Sequence, residues 1–225
     1  MRKSLLVIAL LSFYPASSFA SNEITSCLSN KCRSYFNDFD VYASSGHKEA
    51  IATLADMYYN GYGTKKNLRR AVKYYKKAAF KGVPSAQYKM GLIYLSNDHY
   101  QDPEKGLTYI EQAAQSKHPG AMHTLGVIYL HNQNLPQADY WLAQAYRHGD
   151  SSMQSLVEQL KSAQPAILAQ LPQLNEEVAE NWLVWHQTDK NKQASVQDYL
   201  DTQLNIFKER SRRTVDWPSN WASTP

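Results

Sequence analysis

Several small constellations in this 225-residue chain carry side chains of the kind that do chemistry. Ser45-Gly-His-Lys48 has the Ser-x-x-Lys spacing of serine acyl enzymes, in which a lysine amine helps to activate the hydroxyl. Neither Ser-Asp-Asn nor Lys-Thr-Gly occurs to complete such a site, and Gly46 falls where a helix should stop, so the spacing reads as a turn. Seven histidines are present, yet none forms the His-Glu-x-x-His pattern of a zinc protease helix. His123 and His131 are two helical turns apart, about 12 Å, too far to share a metal without a third element between them. Glu176, Glu177 and Glu180 near Trp182 could suggest a pair of glycosidase carboxylates. Acids in the first turns of an amphipathic helix have a simpler role, offsetting the positive end of its dipole. Gly61-Tyr-Gly63 lacks the preceding strand of a phosphate-binding loop and reads as a turn. The expectation is a chain without a catalytic residue, a cofactor or a metal site.

The only two cysteines, Cys27 and Cys32, are the exception, because an intramolecular disulfide suits their spacing in an oxidising compartment. Residues five apart on one helix have Cα atoms about 8 to 9 Å apart, beyond disulfide reach, so the pair should lie in loop or turn. A ring this small stabilises by about 2 kcal/mol through chain entropy. An oxidising destination agrees with the first twenty residues: Arg2-Lys3, a short apolar run from Leu5 to Phe13, and Ser18-Phe-Ala20 as a small-x-small cleavage site. These predict a leader over residues 1–20, a mature start at Ser21, and export to the periplasm or beyond. No stretch approaches the roughly 20 apolar residues of a transmembrane helix. Loss of Arg2 and Lys3 lowers the formal net charge from +4 to +2, so the global balance favours no partner class, and export argues against nucleic acid.

What must position these residues is a repeat. Ala50 to Tyr58, Ala86 to Tyr94 and Ala121 to Tyr129 align on one another, with offsets of 36 (86 minus 50) and 35 (121 minus 86). Each is followed by a second match, Ala71 to Ala79, Gly106 to Ala114, and Ala138 to Tyr146. Two apolar-striped segments recurring together in the mid-thirties describe a helix-turn-helix unit that cannot bury its own apolar face and must stack on a neighbour. An all-α solenoid follows, with repeats over 50–85, 86–120 and 121–152 and a degenerate fourth from 153. In the first unit the spacing predicts helix A over about 48–60 and helix B over about 67–81. Asp102-Pro103-Glu104 and Pro136 open the later B helices, and Gly82 and Gly149 close two of them.

Residues 21–33 should be a disulfide-stapled leader-in to the solenoid over 34–162. Within it, Ser34 to Ala43 aligns with a helix B and so predicts a half-unit cap. Beyond it, Leu174, Val178, Trp182 and Trp185 share one helical face and Val196, Leu200, Leu204 and Phe207 another, giving terminal helices over 163–209. Residues 210–225, with Trp217 and Trp221 among proline, serine and asparagine, lack periodicity and read as an extended tail.

The succession of Ala, Leu-Gly, Tyr, then Gly-x-Gly, then Ala and Tyr-Tyr-x-x-Ala-Ala-x-x-Gly, fullest in Ala50 to Gly82, resembles the Sel1-like repeat, a relative of the tetratricopeptide repeat. The resemblance implies an α-solenoid that holds protein or peptide partners as a non-catalytic adaptor, in exported bacterial members often at the cell envelope. The second and third units depart from it, with Asn97-Asp-His-Tyr100 and Asn132-Gln-Asn134 in place of Gly-x-Gly, and should have less regular hairpins. Two other readings stay open: a protein that binds or hydrolyses cell-wall peptidoglycan or β-lactams, and an assembly factor for an envelope machine such as a flagellar motor or pilus.

With tetratricopeptide-like geometry, helix A of each unit lines a concave groove through Tyr59, Asn60, Tyr88, Leu92, Leu95, His123, Val127, Leu130 and His131. That groove would be apolar and aromatic, fit for a partner or for the chain's own C-terminal helices or Trp217–Trp221 tail folded back over it. The plainer alternative is that its leucines and Val127 are interior. A second surface is electrostatic. Between Tyr58 and Asn97 no acidic residue occurs, while Lys66, Arg69, Arg70, Lys73, Lys76 and Lys77 are concentrated around helix B of the first unit. Such a run is commonly a solvated face; the functional alternative is an acidic protein surface or an anionic envelope component.

Overall fold

The computed structural model describes residues 24–188 and 196–215, with backbone alone over 181–188 and 210–215. The expected leader and the Trp217–Trp221 segment lie outside them, as do the side chains of Trp182 and Trp185. The described residues form eleven helices and no strand, with one isolated bridge between Cys27 and Tyr62. In chain order these are α1 (Asn30–Ser44), α2 (Lys48–Asn60), α3 (Leu68–Phe80), α4 (Pro84–Ser96), α5 (Pro103–Gln115), α6 (Pro119–His131), α7 (Leu135–Arg147), α8 (Ser152–Ala163), the single turn α9 (Pro165–Leu168), α10 (Pro172–Thr188) and α11 (Val196–Val215). Helices α2 to α7 are all thirteen residues long, three A/B pairs as the period requires.

The chain divides into two compact units, and the boundary falls inside α3: one holds Ile24–Tyr74 with the C-terminal helix, the other Tyr75–Gln193. In the second unit the repeat glycines set the packing distance. A Cβ on Gly91 would overlap Ile110, one on Gly106 would overlap Leu95, and one on Gly126 would overlap Leu142, so each A helix approaches its own B helix at a residue without a side chain. Ala86, Ala121 and Ala138 sit at neighbouring crowded positions with at most 1% exposure. The apolar residues they bring together, among them Leu125, Leu142, Met153 and Leu174, make one continuous core. Helix α10 lies on α7, where the Asp139 carboxylate accepts the first N–H groups of α10 from Gln173 and Leu174, capping that helix from a neighbouring one. The same pair of helices is joined by Arg147 and the buried Glu177, which accounts for one of the three acids considered above as a glycan site.

In the first unit, α1 packs on α2 as the half-unit cap, although it begins at Asn30, four residues before the alignment placed it. The disulfide between Cys27 and Cys32 is present with Cα atoms 6.1 Å apart. Only Cys27 lies in loop; Cys32 occupies the first turn of α1, and the reach is met because the chain between them bends at the Ser29 N-cap. The cystine segment clasps the first hairpin. Cys27 N–H donates to Gly61 O at 3.2 Å, and Gly63 N–H donates to Cys27 O at 2.6 Å. Gly61 and Gly63 both have positive φ, and a side chain on Gly63 would overlap the Cys32 carbonyl. The Gly-Tyr-Gly segment is therefore a turn shaped for this contact, with Tyr62 buried beneath it.

The last helix completes this unit. Phe207, fully buried, sets its ring against Phe39, Tyr42 and His47, and Tyr35 Oη donates to the Asp201 carboxylate at 2.7 Å. Burial and that carboxylate push the Tyr35 phenol up to about 12. Helix α11 continues to Val215, so residues 210–215 are helical where an extended tail was expected. Their polar, arginine-rich sequence carries no apolar stripe, and helical periodicity could not reveal them.

Candidate functional site

The nine residues expected in the groove separate into two groups. Leu92, Val127 and Leu130 are half-buried at the edge of the core, Tyr59 and Asn60 are half-buried at the end of α2, and His131 is exposed. Tyr88, Leu95 and His123 are buried within the chain's own contacts. Leu95 is spent on Gly106, filling the space that residue leaves in its own hairpin. Tyr88 and His123 occupy equivalent repeat positions, 35 residues apart, and both reach across to the turn that opens the next unit. The Tyr88 ring lies 4.6 Å from the His118 ring, centroid to centroid, and its hydroxyl is 3.3 Å from Thr124 Oγ1. His123 Nδ1 lies 3.9 Å from the Asp150 carboxylate, and Asp150 is the repeat counterpart of His118. This position therefore serves repeat-to-repeat contact, a role a single unit viewed alone does not disclose.

Burial disfavours the protonated form of both histidines. Burial pushes His118 down to about 4, against the opposing pull of Asp150 and with Lys89 adding to the downward shift. Burial also lowers His123, again opposed by Asp150. His118 instead caps α6 through Nδ1, which accepts the Ala121 N–H at 3.2 Å. Among the described residues no cluster of three or more His, Cys, Asp or Glu is placed to hold a metal. Ser45 Oγ donates to the Val41 carbonyl at the end of α1, as befits a helix terminus.

In the first unit, the chain's α11 meets α2. Tyr199 of α11 is half-buried beside Thr53 and Asp56 of α2, where burial and the Asp56 charge raise its phenol and a Thr53 hydrogen bond opposes them. Helix α11 thus lies beside the A helix of the first repeat at Thr53 and Asp56. Helix α10 lies instead on a B helix.

The six cations of the basic surface are all exposed. Three of the cations lie over tyrosine rings, Lys66 at 5.6 Å from Tyr59, Arg70 at 5.5 Å from Tyr58 and Lys76 at 5.9 Å from Tyr94. In contrast, Lys105, Arg147 and Lys161 each pair with a carboxylate. Phe80, at the end of the same helix, is 93% exposed. Sequence reading passed it over, although it stands at the centre of the polar face, where an apolar residue breaks the helical pattern.

Sel1 repeat models match residues 48–82, 84–118, 119–150 and 136–154. No curated protein matches the chain significantly. Among solved structures, the chain is similar to a Sel1 repeat protein from Oxalobacter formigenes at 26% identity, over 54% of this chain and 96% of that one, with a TM-score of 0.48. It is also similar to a protective antigen present in uropathogenic Escherichia coli strains that displays an SLR fold, at 19% identity and a TM-score of 0.54. That match covers 66% of this chain but spans only 33% of the antigen, and it speaks for the fold alone. Sel1 repeats are in general protein-interaction modules. With the period, the glycine-spaced hairpins and the four matched segments in agreement, the chain belongs over residues 48–154 to the Sel1 repeat family.

Proposed function

We propose that this protein is an exported, non-catalytic adaptor that binds a protein or peptide partner along the A helices of its second and third repeats. The observation that carries the reading is the row of Leu92, Val127 and Leu130. These side chains are packed on the core from one side and open on the other, while their neighbours Tyr88, Leu95 and His123 are fixed by contacts within and between repeats. A rigid backing behind half-exposed apolar side chains is the arrangement from which interface anchors are made. Export is supported by the composition of residues 1–20 and by a cystine, which persists in an oxidising compartment.

A photo-crosslinking residue at Val127 should give a discrete protein adduct in the native compartment, absent when Leu92 is changed to Glu and absent from the same probe at exposed Gln159. Identical adducts from both probe sites would sink the reading. So would turnover of muropeptides or a chromogenic β-lactam by the purified chain, which would favour the cell-wall alternative. The amino terminus of protein recovered from the periplasm should begin at Ser21.

A further inference from the structure

Helix α3 buries Ala71, Val72, Tyr75, Ala78 and Ala79 and turns its other side to solvent. At 100° per residue, Arg69, Lys73, Lys76, Lys77 and Phe80 fall within one arc of that solvent face, with Phe80 between the lysines. No acidic residue occurs from Tyr59 to Ser96, so this positive field is not neutralised within its own stretch of sequence. The tyrosines beneath it steady Arg70 and Lys76 through their rings and leave their charge intact. A simply solvated face explains the lysines; it does not explain a phenyl ring 93% exposed among them.

The kind of partner follows from three features. Lysines predominate over arginines on this arc, and a lysine is a point charge that does not demand the planar, bidentate geometry of a specific carboxylate. Among the described residues the other exposed large apolar side chains are Leu28, Val41 and Tyr140, none of them on α3, so the aromatic residue stands single on its helix face. A protein partner would have to supply a pocket for it, whereas the boundary between headgroups and acyl chains accepts an aromatic side chain anywhere. Finally, lysine ammoniums on flexible stems can find phosphates at no fixed spacing. We propose that the exposed face of α3 is a docking surface for a bilayer carrying anionic phospholipid, with the lysines on the headgroups and Phe80 entering the interface.

The test is co-sedimentation of the full chain with vesicles of phosphatidylcholine alone and with vesicles that also contain phosphatidylglycerol. The apolar run from Leu5 to Phe13 is common to every variant, so the comparison between variants isolates α3. The mixed vesicles should bind the protein and the neutral ones should not. Lys73→Glu with Lys77→Glu should weaken binding by more than about tenfold. Phe80→Ala should weaken it several-fold and leave a remainder that vanishes with added salt. All three side chains are exposed, and an unchanged circular dichroism melt verifies that folding is retained; Lys73→Gln with Lys77→Gln should show a smaller loss in the same direction. Equal binding to neutral vesicles, or binding indifferent to these substitutions, overturns the proposal. Capture of poly-glutamate equally by the natural chain and by Phe80→Ala, without vesicle binding, overturns it in favour of an acidic polypeptide.

Discussion

In the unit formed by Ile24–Tyr74 and the C-terminal helix, the helices are tied by residues distant in sequence: Cys27 and Cys32 against the 61–63 turn, Phe207 in the Phe39 cluster, Tyr35 on Asp201. In the unit that starts at Tyr75, the ties recur at the repeat period, as the Gly91, Gly106 and Gly126 approaches and the paired contacts Tyr88 to His118 and His123 to Asp150. A repeat can supply its own ties only where a neighbour of the same kind stands on each side. Among the described residues the first repeat has a half-unit before it in place of a full one, and that end is completed by a cystine and by α11.

Phe207→Ala should give the largest effect that separates these modes, because it empties a fully buried site shared by α1 and α11. A loss of about 3 to 5 kcal/mol is expected, read as a fall in denaturation midpoint, with proteolysis appearing first between residues 24 and 60. Protection restricted to neither unit would show that the two do not differ in this way. Gly63→Ala comes next, at about 3 kcal/mol or more, since positive φ and overlap with the Cys32 carbonyl act together. Gly82→Ala shares the positive φ but meets nothing within 4 Å, and should cost only about 1 kcal/mol. Equal losses at the two glycines would remove the clasp from the account. Reduction of the cystine should lower stability by about 2 kcal/mol and be felt in the first unit alone by hydrogen exchange.

The effect belonging to the stacked repeats is nil at neutral pH and shows only in acid. His118 is held neutral, with a folded pKa of about 4 below its ordinary 6.5. In that window the unfolded chain binds the extra proton. Stability is therefore full above about pH 6.5 and declines as pH falls through about 4. His118→Asn, which keeps a capping acceptor, should flatten this decline in a series of acid melts. An unchanged acid slope would place the titration elsewhere.

The period was legible because Ala50, Ala86 and Ala121 must be small at every copy, and all three are buried. Helix bounds in the first pair came within a residue or so, since Gly61 and Gly82 mark their ends. Lys117 and Gln133 take positive φ without being glycine, which no glycine-based rule detects. The candidate groove was only half legible. Equivalence between Tyr88 and His123 is visible in the alignment, but their burial depends on turns contributed by the following unit. The pairing of α11 with α1 has no periodic trace, because one contact made once leaves nothing to compare.

That pairing bears on how the chain is made. Tyr35 and Asp201 are 166 residues apart. During synthesis from the amino terminus, Phe39 and Tyr42 must wait uncovered until Phe207 has emerged, so this unit is finished only after the repeats between its two parts have been made.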